Sequence, residues 1–463
     1  MRPQAALVLF LLASGCLRFE VDPGSTPAPT VTATPTPVPT GTPAPCEMGT
    51  GGDGDVVIAR GDTVAVNTCF SLLSVSGSQL QIESAQNLTV GQALVLVQVQ
   101  EPLGLSYGTA TPVSIEGGAG RYEIVRVTVN GGTTVDVSPA PTVAFVSTAD
   151  SRAQACTIPE YRSLSIAGRI TPSAWDGYTG GVVAFFVQQS LTLQAGAAVD
   201  ASETGFRGGL LAPNLDVDQV TALDLPLTDG GGGGKGEGID PLSWTRAARG
   251  NLGSAGGGGN ARDAGGGGGG NAGDGGIGAP QNPGAVGGED PATAGMSGSR
   301  NVPDDSAGLR VIFGSGGGAT HRHNDGDPTG HAGANGGGLV LVHAATLAGA
   351  GDLLADGGGG LTSSVEGGGG GGAGGTVLLR TLDASGFTGK LGARGGDGNS
   401  IPSASNGPGG GGGGGRVLVL STSLTAALPT DVDGGSPGSA DVGPRGASGG
   451  EPGPLVTQVP CPN

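Results

Sequence analysis

All four histidines of the chain lie between His321 and His343. Three of them fall in the stretch Thr320-His321-Arg322-His323-Asn324-Asp325-Gly326-Asp327-Pro328-Thr329-Gly330-His331. If this segment is extended, His321 and His323 project to one side, and Asp325, Asp327 and His331 could close a site for zinc, nickel or copper. The carboxylates with Asn324 would instead suit calcium, and a solvated polar loop is the simpler account of the same residues. Beyond such a divalent ion, the sequence asks for no cofactor. Gly446-Ala447-Ser448-Gly449-Gly450 and Gly434-Gly435-Ser436-Pro437-Gly438 both satisfy Gly-x-Ser-x-Gly. A nucleophile elbow, however, needs a strand before it, a helix after it and a downstream histidine, and none follows His343. The run Gly230–Gly234 leads into Lys235-Gly236, without the Ser or Thr that holds magnesium in a phosphate loop. Asp200, Asp216, Asp218 and Asp240 could supply the paired carboxylates of a sugar hydrolase, but their spacing carries no signature. No catalytic residue is assigned on these grounds.

The elements that would have to position such groups are unusual in composition. Of 463 residues, 100 are Gly, where an average protein has about 7%. Aromatic residues make up 3%, so side chains able to fill a thick core are few. The glycines come in unbroken runs, which excludes a collagen triplet, and the Gly and Pro content excludes a coiled coil. A mean hydropathy of +0.03 and apolar runs such as Val182-Val183-Ala184-Phe185-Phe186-Val187 argue against wholesale disorder. The net charge of −18 disfavours nucleic acid and anionic lipid surfaces as partners.

At the amino terminus, Arg2 precedes an apolar stretch from Ala5 to Ala13, too short to span a bilayer and suited to a secretory signal. Leu12-Ala13-Ser14-Gly15-Cys16 resembles the lipobox of bacterial lipoproteins. That resemblance implies a diacylglycerol on the Cys16 thiol, with palmitate as the expected acyl chain, and cleavage before Cys16. Leu17, rather than Asp, after the cysteine implies sorting to the outer membrane of a Gram-negative bacterium, with the cell surface as the expected location. Residues 23–45 alternate Pro with small residues and have no apolar face, as in a semi-rigid spacer. At about 3.1 Å per residue it would reach roughly 70 Å. With Cys16 acylated, Cys46, Cys69, Cys156 and Cys461 remain, an even number for an oxidising compartment, with three possible pairings. Cys69–Cys156 within the amino-terminal region and Cys46–Cys461 bracketing the body are the favoured pairs.

The expected organisation is a signal peptide at 1–15, a tether at 16–45, a β module at 46–174 and a glycine-rich β-repeat region at 175–463. The fold class is all-β, an antiparallel module followed by stacked strand repeats with glycine-rich excursions. In the module, Asp55–Ile58, Ala93–Gln100, Tyr122–Val129 and Thr134–Val137 read as strands, with Asn130-Gly131-Gly132 as a hairpin turn. In the repeats, an apolar strand opens at Gly181, Gly338, Gly375 and Gly415, followed by a short polar turn and, in the first three, a second strand near Gly196, Gly351 and Gly389. The last three units are 37 and 40 residues apart, which predicts stacked β-hairpins. Between them lie the runs Gly230–Gly234, Gly256–Gly259, Gly265–Gly270, Gly357–Gly360, Gly367–Gly372 and Gly409–Gly415. Two accounts of these runs stand: mobile linkers, or extended threefold helices packed side by side through their own N–H and C=O groups. The second resembles, in composition, the glycine-rich domain of the anaplastic lymphoma kinase receptor.

Val90–Gln100, Gly120–Val127, Ile158–Ile166, Pro172–Phe185 and Thr204–Gly209, taken in order, resemble a group of exported, glycine-rich, adhesin-like bacterial proteins. The Gly-Gly-x-Val-x-Leu type of strand is also similar to the repeats of filamentous haemagglutinins. The first resemblance implies a lipid-anchored, non-enzymatic role in adhesion, surface coating or matrix contact, with extracellular polysaccharide or surface proteins as partners. Two other readings stay open: a β-solenoid enzyme acting on extracellular polysaccharide, which Trp175, Trp244 and carboxylates in one groove would favour, and a metal-dependent binding module at His321–His331.

Overall fold

The computed structural model describes residues 47–85, 87–212, 221–261, 263–280, 293–304, 309–321, 331–359, 367–402, 406–421, 428–441, 443–453 and, for the backbone, 455–457. Apart from two short 3-10 turns at Leu227–Asp229 and Pro241–Thr245, the regular elements of the described residues are strands.

Six strands, Cys69–Ser76, Gln79–Ile82, Ala93–Gln100, Tyr122–Asn130, Thr134–Ser138 and Arg152–Ile158, close an antiparallel barrel. Tyr122–Asn130 and Thr134–Ser138 pair as the expected hairpin. Gly132 takes a φ of 94°, which an L side chain would strain, and Gly131 N–H donates to Thr134 O at 2.9 Å. Leu72, Leu80, Ile82, Leu94, Leu96, Val125 and Val135 fill the interior. A disulfide joins Cys69 to Cys156, which face each other across the pair formed by the first and last barrel strands.

The repeats build two parallel sheets. One runs through Asp55–Ile58, Ser163–Ile166, Val182–Leu193, Leu339–Gly349, Thr376–Phe387, Arg416–Ser421 and Leu455–Thr457. The other runs through Thr63–Val64, Arg169–Ile170, Ala198–Asp200, Asp352–Leu354, Leu391–Gly392 and Thr430–Asp431. The expected hairpins are therefore replaced by arcs. The polar turn of each unit carries the chain from one sheet to the other, and each strand bonds to its counterpart in the next unit, Val182 to Leu339, Leu339 to Thr376 and Thr376 to Arg416. Arcs win because both faces of the long strands are apolar. Val183, Phe185, Val340, Val342, Val377, Leu379, Val417 and Val419 pack against Val199, Leu353 and Leu391 of the second sheet. On the other face, Val182, Ala184, Phe186, Leu339, Leu341 and Leu378 meet Trp175, Phe206, Phe313 and the barrel residues Val95 and Val97. A hairpin unit could not cover both.

The boundary expected at 174 also shifts. Asp55–Ile58, Thr63–Val64 and the segments from Glu160 to Ile170 belong to the repeat sheets, so the barrel is an insertion between the first and second coils of the stack.

Three of the glycine runs are packed segment against segment. Residues 265–270, 367–372 and 409–415 are all buried, and none of these glycines has a positive φ. Around the last run, Gly410 and Gly413 donate to Gly266 and Gly269, Gly412 and Gly415 to Gly396 and Ala393, and Gly411 and Gly414 to Ser448 and Glu451. The same run accepts from Gly371 and Gly374, from Gly273 and Gly276, and from Gly435 and Gly438. Partners advance by three residues in every case, the repeat of a threefold extended helix, and they surround the run on all sides. Such a lattice satisfies the backbone without sheet ladders, and it leaves no room for side chains. A Cβ on Gly412 would fall on the carbonyl of Gly372, and one on Gly268 on that of Gly411.

Candidate functional site

The residues singled out by sequence are mostly dispersed. His321 and His331 are both buried, and Thr320 N–H donates to His331 O at 3.0 Å. His331 Nδ1 meets the Asn399 amide. His323, Asp325 and Asp327 lie outside the described residues, as do Cys16, Cys46, Cys461, Asp216 and Asp218. Among the described residues no three His, Cys, Asp or Glu side chains are grouped to hold a metal ion. Asp200 is ion-paired with Arg169, and Asp240 caps the turn Pro241–Thr245 through Leu242 N–H. Ser448 is held in the lattice, its carbonyl accepting from Gly411 and its Oγ from Ile277 N–H. Lys235 is fully buried, its Nζ donating to the carbonyls of Leu223, Ala248 and Gly250, and burial holds its pKa down at about 7.

The structure brings two further groupings together. The first is a row across the parallel sheet at one register, Glu160, Phe186, His343, Arg380 and Leu420. Glu160 is clamped by Arg126 of the barrel through two bonds of 2.6 and 2.7 Å, and Arg126 also reaches Glu47. His343 stacks on Phe186 at 4.4 Å and 14°, and its Nδ1 lies 3.0 Å from Glu47 O. Burial first, then the neighbouring Arg380, push its pKa down to about 3. These contacts are the ionic joint between barrel and repeat sheets. Only three-dimensional register brings them together, and no sequence motif marks them.

The second grouping contains both tryptophans. Glu237, buried in the glycine-rich segment that follows Lys235, accepts from Trp175 Nε1 at 3.2 Å and from Arg207 Nε through its other oxygen at 2.8 Å. Arg207 lies over the Trp244 ring at 4.0 Å. Its Nη1 donates to Asp176 O at 2.9 Å, and Arg152 Nε donates to the next carbonyl, Gly177 O, at 3.2 Å. Arg152 in turn lies 5.0 Å from the ring of Tyr178. Two guanidinium groups therefore grip consecutive carbonyls of one turn, and each backs an aromatic ring. Trp175, however, is 2% exposed and packs edge-on against Phe206 and Phe313, so it belongs to the core and does not share an open groove with Trp244. Asp176-Gly177-Tyr178-Thr179-Gly180 carries the turn chemistry that could have signalled the gripped turn.

No family model and no curated protein matches the chain. Solved structures it aligns with are viral tailspikes. The Gp54 tailspike of Acinetobacter baumannii bacteriophage AP22, solved with A. baumannii capsular saccharide, aligns at 9% identity and a TM-score of 0.18, over 84% of this chain and 59% of that one. The Pseudomonas phage phi297 tailspike gp61 aligns at 11% identity and 0.16, over 84% and 62%. The tailspike gp49 of Pseudomonas phage LKA1 aligns at 11% identity and 0.15, over 88% and 69%. The chain thus spans about three fifths of the length of the first two of these proteins.

Proposed function

We propose that this protein is a non-enzymatic lipoprotein, exported by a Gram-negative bacterium, acylated at Cys16 and displayed from the outer membrane in a structural, adhesive or matrix-contact role. The observation that carries the reading is the glycine lattice. Segments that in an enzyme would bring side chains to a site are here used to pack backbone against backbone, with carbonyl and amide groups paired to each other. Such a body offers stiffness and shape. The Pro-rich spacer at 23–45 would stand it away from the lipid, and the net charge of −18 keeps it soluble and off anionic surfaces.

The test is a Cys16→Ser variant of the full chain, compared with wild type by membrane fractionation, acyl-chain mass spectrometry and protease accessibility on intact cells. Wild type should carry acyl chains, co-fractionate with the outer membrane and be cleaved in the tether by added protease. The variant should lose the acyl chains and leave the membrane. An acylated, membrane-bound Ser variant would remove the anchor assignment, and full protection of wild type on intact cells would remove the surface role.

A further inference from the structure

The turn Asp176-Gly177-Tyr178-Thr179 is fixed from every direction. Asp176 N–H donates to Thr179 O at 3.1 Å, and Asp176 Oδ1 accepts from the backbone of both Tyr178 and Thr179 at 2.8 Å. Gly177, with a φ of 102°, lies so near Arg207 that a Cβ there would sit 2.7 Å from Nη2. Fully buried Gln154 clamps the end of the turn, its amide donating to Gly180 O at 3.0 Å and its oxygen accepting from Gly180 N–H at 2.9 Å. The product of this fixation is an exposed side chain. Tyr178 is 58% exposed, and Trp244 is partly so, each with a guanidinium against its ring. Leaving a tyrosine ring in water while immobilising the backbone beneath it has no stabilising purpose of its own, but it lowers the entropy cost of binding something on that ring.

We propose that this platform binds a neutral saccharide, with Tyr178 and Trp244 stacking on the C–H faces of sugar rings and Asp176 accepting from a hydroxyl. The proposal rests on the surface-contact reading above and names its ligand. Aromatic rings beside a few placed polar groups match the alternating apolar faces and hydroxyl edges of pyranose rings. Backing by Arg152 and Arg207 fixes the ring planes and enriches the contact with cation–π attraction. Local charge decides between neutral and acidic glycans. Arg207 is ion-paired with Glu237, and Arg152 sits at the turn that carries the exposed Asp176 carboxylate, so the platform has no net positive charge. The body around it carries −18, which repels a polyanion within a screening length of about 8 Å at physiological salt.

The full chain in detergent is titrated with cellohexaose, maltohexaose, chitohexaose and a hexameric polyuronate, followed by tryptophan fluorescence and calorimetry. Only Trp244 of the two tryptophans is open to a ligand, since Trp175 is buried. At least one neutral hexasaccharide should shift the fluorescence saturably. Tyr178→Ala, at an exposed position, should weaken that binding at least tenfold with an unchanged melting midpoint, and Trp244→Phe should abolish the fluorescence response. The proposal is overturned by no binding of any neutral sugar, by binding of the polyuronate alone, or by binding that Tyr178→Ala and Arg152→Gln leave intact. A protein acylated and exposed on cells that binds none of these sugars removes the saccharide proposal alone. One that is not exposed removes the surface reading, whatever it binds.

Discussion

His343 is the residue whose protonation the fold opposes most plainly. Its ring lies between the barrel and the repeat sheets, stacked on Phe186, with Nε2 bonded to no described residue and Arg380 beside it. The folded chain therefore holds it neutral down to about pH 3, while the unfolded chain protonates it near its ordinary value of 6.5. Between those values the unfolded state takes up a proton that the folded state refuses. The contribution is therefore complete above about pH 6.5 and is lost as the pH falls towards 3, at up to about 1.4 kcal/mol per pH unit. Chemical denaturation from pH 7 to pH 4 should show this slope in wild type and a shallower one in His343→Phe, which keeps the stacking but cannot titrate. Equal slopes would mean that the imidazole is not sealed in the joint. At this scale the sequence was least informative. Tyr122–Val129 could be read as a strand from its partial alternation, but nothing in it indicated that Arg126 would reach Glu160, which is 34 residues away. His343 lies outside the closely spaced histidines of 320–331, and nothing in its own sequence neighbourhood marks its burial.

The glycine run is an element in its own right, held by the same three-residue advance of partners on each side. Its tolerance for side chains should vary sharply along a single run. In 357–359, a Cβ on Gly357 would overlap Gly372 O, whereas the nearest atom to one on Gly359 is Asp397 N at 3.5 Å. Gly357→Ala should therefore lower stability by roughly 1–3 kcal/mol, the usual cost of overpacking. Gly359→Ala should be neutral or gain a few tenths of a kcal/mol from the stiffer unfolded chain. Thermal unfolding of the two single variants checks this, and equal effects would mean that the run is not packed. The strand repeats were legible because Gly338-Leu-Val-Leu-Val, Gly375-Thr-Val-Leu-Leu and Gly415-Arg-Val-Leu-Val recur at nearly constant spacing. The arcs were not legible. A strand-turn-strand unit reads identically whether its strands pair with each other or with the next unit, and the choice is made by apolar faces such as Val183 and Val182, which alternate but are both covered. Nor could the sequence separate packed glycine from loose glycine, since both are written in the same letters and only the partners differ.

At the scale of the whole molecule, three cores of ordinary side chains bracket a region that has almost none. The barrel is tied to the repeat sheets by Arg126 and Glu160, and the sheets to the lattice by Phe206, Phe313 and the segment carrying Lys235 and Glu237. The central claim is that this lattice is ordered, and that order is what a surface-display role would draw on. Amide hydrogen exchange on the full chain, resolved to peptides covering 265–270, 367–375 and 409–415, tests it most directly. Packed threefold helices predict protection in these peptides close to that of the long strands Val182–Leu193 and Leu339–Gly349, because their N–H groups are buried and bonded to neighbouring runs. Exchange of the three glycine peptides at random-coil rates, with the strands still protected, would contradict the lattice and leave a β-stack joined by loose linkers.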